Sequence, residues 1–202
     1  MTVELNIRIA SSLAEIPAAV WDACAGASST ELSTRGQPPN PFVSHAFLSS
    51  LEQSKSVGAR TGWQPQHLIA ETVDGEVLGV APCYAKSHSQ GEYVFDHGWA
   101  EAFERAGGDY YPKLQVAVPF TPVTGPRLLA RPGPVADSET SRAIGADGLA
   151  RAPDVLDDVR NGRVRDVSVR EPVTPLGAAQ RHRNGHGLLL RCLHAAGCGD
   201  AT

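Results

Sequence analysis

The sequence predicts an α/β lobe followed by an irregular C-terminal tail, and three observations carry that prediction. Segments with the period-2 alternation of strands interleave with segments whose apolar residues recur at helical spacing. An Asp74-Gly75 dipeptide sits between two apolar runs, the strongest short-range signal for a hairpin. All twelve aromatic residues and all three lysines lie at or before Phe120, whereas Ala130–Thr202 holds ten arginines, nine glycines and no aromatic. Folding must offset roughly 1–2 kcal/mol of backbone entropy per ordered residue, and aromatics are among the largest contributors of buried area. The last third has little with which to build a core. A boundary between two compositional regions is expected between Ala130 and Ala152.

The elements follow in order. Val3–Ile9 alternates apolar and polar residues and reads as a half-buried strand. Pro17 suits the first position of a helix with Ile16, Val20, Trp21 and Cys24 on one face and Gly26 at its end. Residues 27–41 are loop chemistry. Ser44 reads as the N-cap of a second helix with Phe47, Leu48 and Leu51 inward, and His45 in its first turn as an exposed or capping histidine. Gln66–Val73 and Glu76–Ala85 are the arms of the hairpin, with Pro82 marking a bulge or an edge where a backbone donor is missing. Asp96–Ala106 reads as a helix with Trp99, Phe103 and Ala106 packed inward and Gly107-Gly108 stopping it. Lys113–Val118 is a short strand. Pro119, Pro122 and Pro126 then impose a rigid exposed loop carrying Thr121, Thr124 and Arg127. Asp137–Ala150 can form one polar helix, weakened by Gly145 and Gly148. No regular period persists beyond it.

At 202 residues and 42% hydrophobic content the chain suits one domain, or one and a fragment. A net charge of −4 argues against a general nucleic-acid binder. No apolar run approaches the ~20 residues that span a bilayer, and the N-terminus lacks the pattern of a signal peptide. Cys24, Cys83, Cys192 and Cys198 show no CxxC spacing, which implies reduced thiols and a cytoplasmic setting. His182, His186 and His194 with Cys192 and Cys198 match no zinc spacing, so no metal is expected.

The chemistry concentrates in residues 88–129. Seven aromatics there (Tyr93, Phe95, Trp99, Phe103, Tyr110, Tyr111 and Phe120) are threaded with His88, Glu92, Asp96, His97, Lys113, Thr121 and Arg127. Aromatic walls with a few convergent polar groups are the composition of a small-molecule or peptide cleft. No catalytic triad, phosphate loop or metal motif accompanies them.

Two long strings, NPFVSHAFLSSLEQSKSVGARTGWQPQHL (40–68) and YAKSHSQGEYVFDHGWAEAFERAGGDYYPKLQVAVPFTPVTGPRLL (84–129), closely resemble a bacterial family of predicted N-acyltransferases. That family is labelled "peptidoglycan biosynthesis protein" and placed in the GNAT superfamily beside the Fem-type aminoacyl transferases. The resemblance covers about residues 3–150. It implies a GNAT-like mixed sheet with flanking helices, present here as the first half of a two-lobed protein, with 1–150 as the acyltransferase lobe. It also implies acyl transfer from a CoA-type donor such as acetyl-CoA, or from an aminoacyl donor, to a small-molecule or peptide amine. A nucleic-acid partner is expected only if the donor is an aminoacyl-tRNA, and no membrane partner is expected. Within the matched strings Glu92 and Asp96 are candidate general bases. His88, Trp99, Tyr110, Tyr111 and Lys113 are candidates to position substrate, and Thr121 and Arg127 to hold an anionic group. Because the resemblance stops near Ala150, residues 151–202 read as a low-order tail from a frameshifted or truncated reading. The isolated chain is then expected to be inactive, with a non-catalytic ligand- or protein-binding module of the same fold as the alternative.

Overall fold

The computed structural model describes residues 5–26, 39–131, 155–157, 161 and 169–171. Within them the chain forms an α/β fold of two antiparallel sheets and three short α-helices. Strand β1 (Leu5–Ala10) leads through a 3₁₀ turn at Leu13–Glu15 into α1 (Ala18–Ala25). A second 3₁₀ turn (Pro41–Val43) precedes α2 (His45–Gln53). Then come β2 (Trp63–Pro65), β3 (His67–Thr72), β4 (Val77–Ala81) and β5 (Cys83–Lys86). Helix α3 (His97–Arg105), β6 (Lys113–Val116), β7 (Leu129–Ala130) and β8 (Val169–Glu171) complete the order.

The larger sheet runs β7-β4-β3-β1-β8 and the smaller β2-β5-β6. One hairpin serves both. Its arms pair in a single register from Trp63↔Lys86 through Pro65↔Tyr84 in the small sheet to Leu68↔Ala81 and Ala70↔Gly79 in the large one. The ladder changes sheet at Gln66 and Pro82, where proline brings no N–H. Pro82 is therefore a crossing point, neither a bulge nor a sheet edge, and its carbonyl accepts from Ala117 N–H. At the tip only Gly75 has positive φ (+84°), so Val73-Asp74-Gly75 forms a three-residue loop closed by the Gly75 N–H to the Thr72 carbonyl. That geometry is a turn with an αL residue last, where glycine avoids a steric cost.

Alternation along the hairpin divides the core. Ile7, Ile9, Leu68, Ala70 and Ala81 pack with Cys83, Ala85, Leu114 and Val116, joining the two sheets. Ile69, Val80 and Leu129 point the other way, onto Leu13, Ile16, Trp21, Cys24 and Leu48 of the helical layer. The Trp21 indole is fully buried and donates to the Val43 carbonyl at 2.8 Å. Beyond residue 150, Val155 is buried in the inter-sheet core and β8 pairs with β1 at Ile7↔Val169 through Leu5↔Glu171.

The caps follow the expected chemistry. Ser44 Oγ accepts from Phe47 N–H at the start of α2, and Gly26 closes α1 in the αL conformation (φ +66°). His45 is half-buried, its Nε2 3.1 Å from the Leu13 carbonyl oxygen. Pro17 sits one position earlier than expected, as N-cap. Helix α3 departs further: Ala100 is its buried residue, while Trp99 is exposed and Phe103 half-buried. Cys24 and Cys83 are buried and form no disulfide among the described residues, and burial pushes Cys24 up to about 11. The expected polar helix at 137–150 and the histidine–cysteine cluster at 182–198 lie outside the described residues.

His67 links the layers. Its Nδ1 accepts from the Cys83 N–H at 3.3 Å, so the ring proton sits on Nε2 and is donated to Glu52 Oε1 at 3.0 Å. Glu52 also accepts from Ser12 Oγ at 2.7 Å and from the Leu13 N–H. Burial works to raise the Glu52 carboxyl, but the bonds from His67 and Ser12 outweigh it and hold it below the ordinary glutamate value. A folded value below the unfolded one gives stabilisation that is present above the ordinary glutamate range and lost as pH falls through the folded value. Urea unfolding at neutral pH should show Glu52→Gln less stable by about 1–3 kcal/mol. The gap between variant and wild type should narrow as the buffer is taken below pH 4.

Candidate functional site

The small sheet carries an unusual row. Trp63 lies opposite Lys86, and Lys86 lies opposite Lys113. Directly opposed residues share a face, where like charges destabilise the pair. The chain answers with two carboxylates delivered by the segment that follows β5. Lys113 Nζ donates to Glu92 Oε2 at 2.9 Å and to Asp96 Oδ2. The Tyr110 hydroxyl donates to Asp96 Oδ2 and the Tyr111 hydroxyl to Asp96 Oδ1, each at 2.9 Å. Asp96 thus accepts from three side chains while its backbone carbonyl starts α3, accepting from Trp99 N–H and Ala100 N–H. Lys86 Nζ, fully buried, donates to the Gln90 carbonyl at 2.9 Å and lies 3.8 Å from the centre of the Trp63 ring. Trp63 Nε1 donates to the same carbonyl at 3.1 Å.

A close backbone approach seats this segment. Gly91 has φ +80°, and a Cβ there would stand 2.6 Å from Phe120 Cε1 and 2.9 Å from Trp63 Nε1. Phe120 itself has positive φ (+59°), and its ring packs on Trp63 at 5.4 Å. Only glycine fits under it.

The electrostatics separate the two carboxylates. Burial works to raise Asp96, but hydrogen bonds from Lys113, Tyr110 and Tyr111 outweigh it, so Asp96 is held low and ionised. Burial raises Glu92 as well, and there the single Lys113 bond does not compensate, leaving its carboxyl above the ordinary range. Glu92 Oε1 is buried with no hydrogen-bond partner among the described residues. Burial pushes Tyr111 upward, reinforced by its bond to Asp96. Carboxylates held apart in proton affinity by their surroundings are the arrangement from which acid and base roles are assigned.

Five of the residues expected from sequence thus converge: Glu92, Asp96, Tyr110, Tyr111 and Lys113. The other four serve elsewhere. His88 Nδ1 accepts from Gln90 N–H at 3.2 Å, and a Cβ on Gly62 would meet its ring. Trp99 lies on the exposed side of α3. Thr121 Oγ1 accepts from Val123 N–H, and Arg127 donates to the carbonyls of Val123, Gly125 and Pro126, clamping the proline loop. Lys86 and Trp63 were missed by the sequence reading, which ended the hairpin arm at Ala85. A signal for Lys86 was present, since it continues the Tyr84–Lys86 alternation by one step.

A family profile described as FemAB-like, peptidoglycan biosynthesis/recognition, matches residues 12–152. The chain belongs to the FemAB-like family. The matched span includes all of β2 to β7, hence the whole cluster. No curated protein and no solved structure matches the chain. Membership ties this FemAB-like chain to a peptidoglycan-related transferase role. Among the described residues no group of histidine, cysteine or carboxylate side chains could hold a metal ion, and no helix is long and apolar enough to cross a membrane.

Removing the carboxylate on which three donors converge should be costly. Asp96→Ala leaves the buried Tyr110 hydroxyl, the half-buried Tyr111 hydroxyl and a lysine short of a partner, and chemical denaturation should register a loss of about 3–5 kcal/mol. Tyr111→Phe, which removes one donor, should lose about 1 kcal/mol by the same assay.

Proposed function

We propose that this FemAB-like chain supplies the acceptor side of a GNAT-type N-acyltransferase, with Glu92 as general base and a peptidoglycan-type peptide amine as acceptor. The observation that carries the reading is Glu92 Oε1, a buried acceptor with no partner among the described residues, beside a carboxylate oxygen already held by Lys113. A buried acceptor without a donor costs about 1–3 kcal/mol, and an amine N–H satisfies it. In the transfer step the amine nitrogen bonds to the acyl carbonyl carbon and its proton passes to Glu92 Oε1. The carbonyl oxygen carries the negative charge until the C–S or C–O bond to the donor breaks, and the leaving group then takes a proton. A base whose affinity is raised toward the working pH is suited to that exchange. Asp96, locked by three donors, keeps Lys113 in place and remains ionised. The acyl donor, a CoA thioester or an aminoacyl ester, is held by residues outside the cluster.

The alternative, recognition without turnover, is favoured by the exposed Tyr93, Phe95 and Trp99 on the segment that leads from Glu92 into α3. Such aromatics suit contact with a partner.

One pair of measurements separates the readings. Isothermal titration with a lysine-containing stem pentapeptide should show binding by the wild-type chain, weakened about tenfold or more in Glu92→Gln. Absence of binding at millimolar peptide would sink the acceptor-site reading. Mass spectrometry of the same mixture with acetyl-CoA or an aminoacyl donor then distinguishes the two: N-acylated peptide lost about 10²-fold in Glu92→Gln marks an enzyme, and binding without product marks a recognition module.

A further inference from the structure

The opposed lysines are treated unequally. Lys113 takes both carboxylates, whereas Lys86, the more deeply buried of the two, forms no ion pair among the described residues. An ammonium withdrawn from water is costly unless it is paired. Here a single carbonyl and the face of Trp63 attend it, and a cation over a tryptophan ring recovers part of that cost. A methionine or leucine would fill the same volume without that cost. The position nonetheless holds a lysine, directly across the ladder from another and bound to the carbonyl of Gln90, two residues before Glu92.

We propose that Lys86 is the positioning residue for Glu92: it anchors the 87–92 segment at the Gln90 carbonyl and supplies the positive charge that keeps the Glu92 carboxyl ionised and ready to take a proton. The inference rests on the reading of Glu92 as the base. The charges that meet in this region are Lys86, Lys113, Glu92 and Asp96, with the Tyr110 and Tyr111 hydroxyls bound to Asp96. Lys86 draws the Glu92 carboxyl downward against the larger effect of burial, and burial in turn brings Lys86 itself down to about 8. Lys113 anchors one Glu92 oxygen and Asp96 opposes the ionisation of Glu92 by like charge. Lys86 is thus a second cation acting on Glu92 in the same sense as Lys113, a smaller pull than those of burial, Lys113 and Asp96. Acting through Glu92 and the loop, it needs no contact with substrate.

The test is a carboxyl titration of the full-length chain by ¹³C NMR, with the Glu92 Cδ signal assigned through Glu92→Gln. In Lys86→Met the Glu92 midpoint should rise by about one pH unit, the effect of removing a nearby opposite charge. Lys86→Arg, which keeps the charge, should leave it close to wild type. A folded Lys86→Met protein whose Glu92 midpoint is unchanged or lowered overturns the proposal, as does an arginine variant that shifts it as far as methionine does. The wild-type protein gives an independent reading if neither variant folds. With only three lysines in the chain, the Lys86 Cε signal can be assigned, and the Glu92 signal should move a second time as Lys86 loses its proton near pH 8. A Glu92 signal flat through that range overturns the proposal as well. These titrations read the same whether or not the chain transfers acyl groups, so failure here is distinct from failure of amine binding.

Discussion

His67 is the point on which the architecture turns. A hairpin that serves two sheets passes from one to the other at Gln66 and Pro82, and the buried Cys83 N–H lies at that passage. Buried backbone donors are almost always paired. The imidazole of His67 takes this one, and in doing so fixes its own tautomer so that the opposite nitrogen must donate. Glu52 receives that proton bond and passes the constraint on to Ser12 and Leu13. One side chain therefore couples the hairpin bend, α2 and the turn after β1. Trp21 and Tyr84 pack edge-on against the ring at 5.6 and 5.2 Å, which leaves it no other orientation.

The bend also creates the site. Because the register runs unbroken through it, the residues that enter the small sheet are determined by pairing in the large one. A slip of one position would turn Lys86 and Trp63 to the opposite face. With the register held, Trp63, Lys86 and Lys113 line up across three strands, and the segment after β5 has to return over that row to reach α3. Gly91 permits the close return under Phe120, and Glu92 and Asp96 arrive above the lysines. Scaffold and chemistry are set by the same ladder.

Much of this is legible in the amino-acid sequence. The cap at Ser44, the αL glycine at 26 and the Asp74-Gly75 hairpin are local signals, each governed by a few adjacent residues. The concentration of aromatic and ionisable residues at 88–113 also marked the cluster, because five of its members lie within twenty-two consecutive positions. What escaped was non-local. Trp63–Pro65 is too short to show a period, and its role depends on pairing with residues twenty positions on. Pro82 signals a missing donor but cannot reveal that the strand continues into a second sheet. Trp99 carried a helical spacing that suggested burial; its outward position follows from where Asp96 anchors the start of α3, a tertiary fact. Thr121 and Arg127 have the chemistry of anion ligands, yet the proline-rich loop consumes their hydrogen-bonding groups to hold its own shape.

The balance of costs in the cluster bears on its purpose. Buried ion pairs are weak evidence of stabilisation, since well-packed apolar residues of like volume serve as well or better. A sheet face already carrying Trp63, Tyr84 and Phe120 nearby could have been completed with leucine and phenylalanine. Four formal charges are kept there, two of them on directly opposed lysines, and the network they form is unevenly satisfied: Asp96 has three donors, whereas Glu92 has one oxygen held and one bare. A fully satisfied network would make a rigid strut. Uneven satisfaction leaves Glu92 Oε1 without a donor among the described residues, while the other charges fix the position of its carboxyl group. That asymmetry, between a carboxylate locked by three donors and one held at a single oxygen, distinguishes the two acids of the cluster.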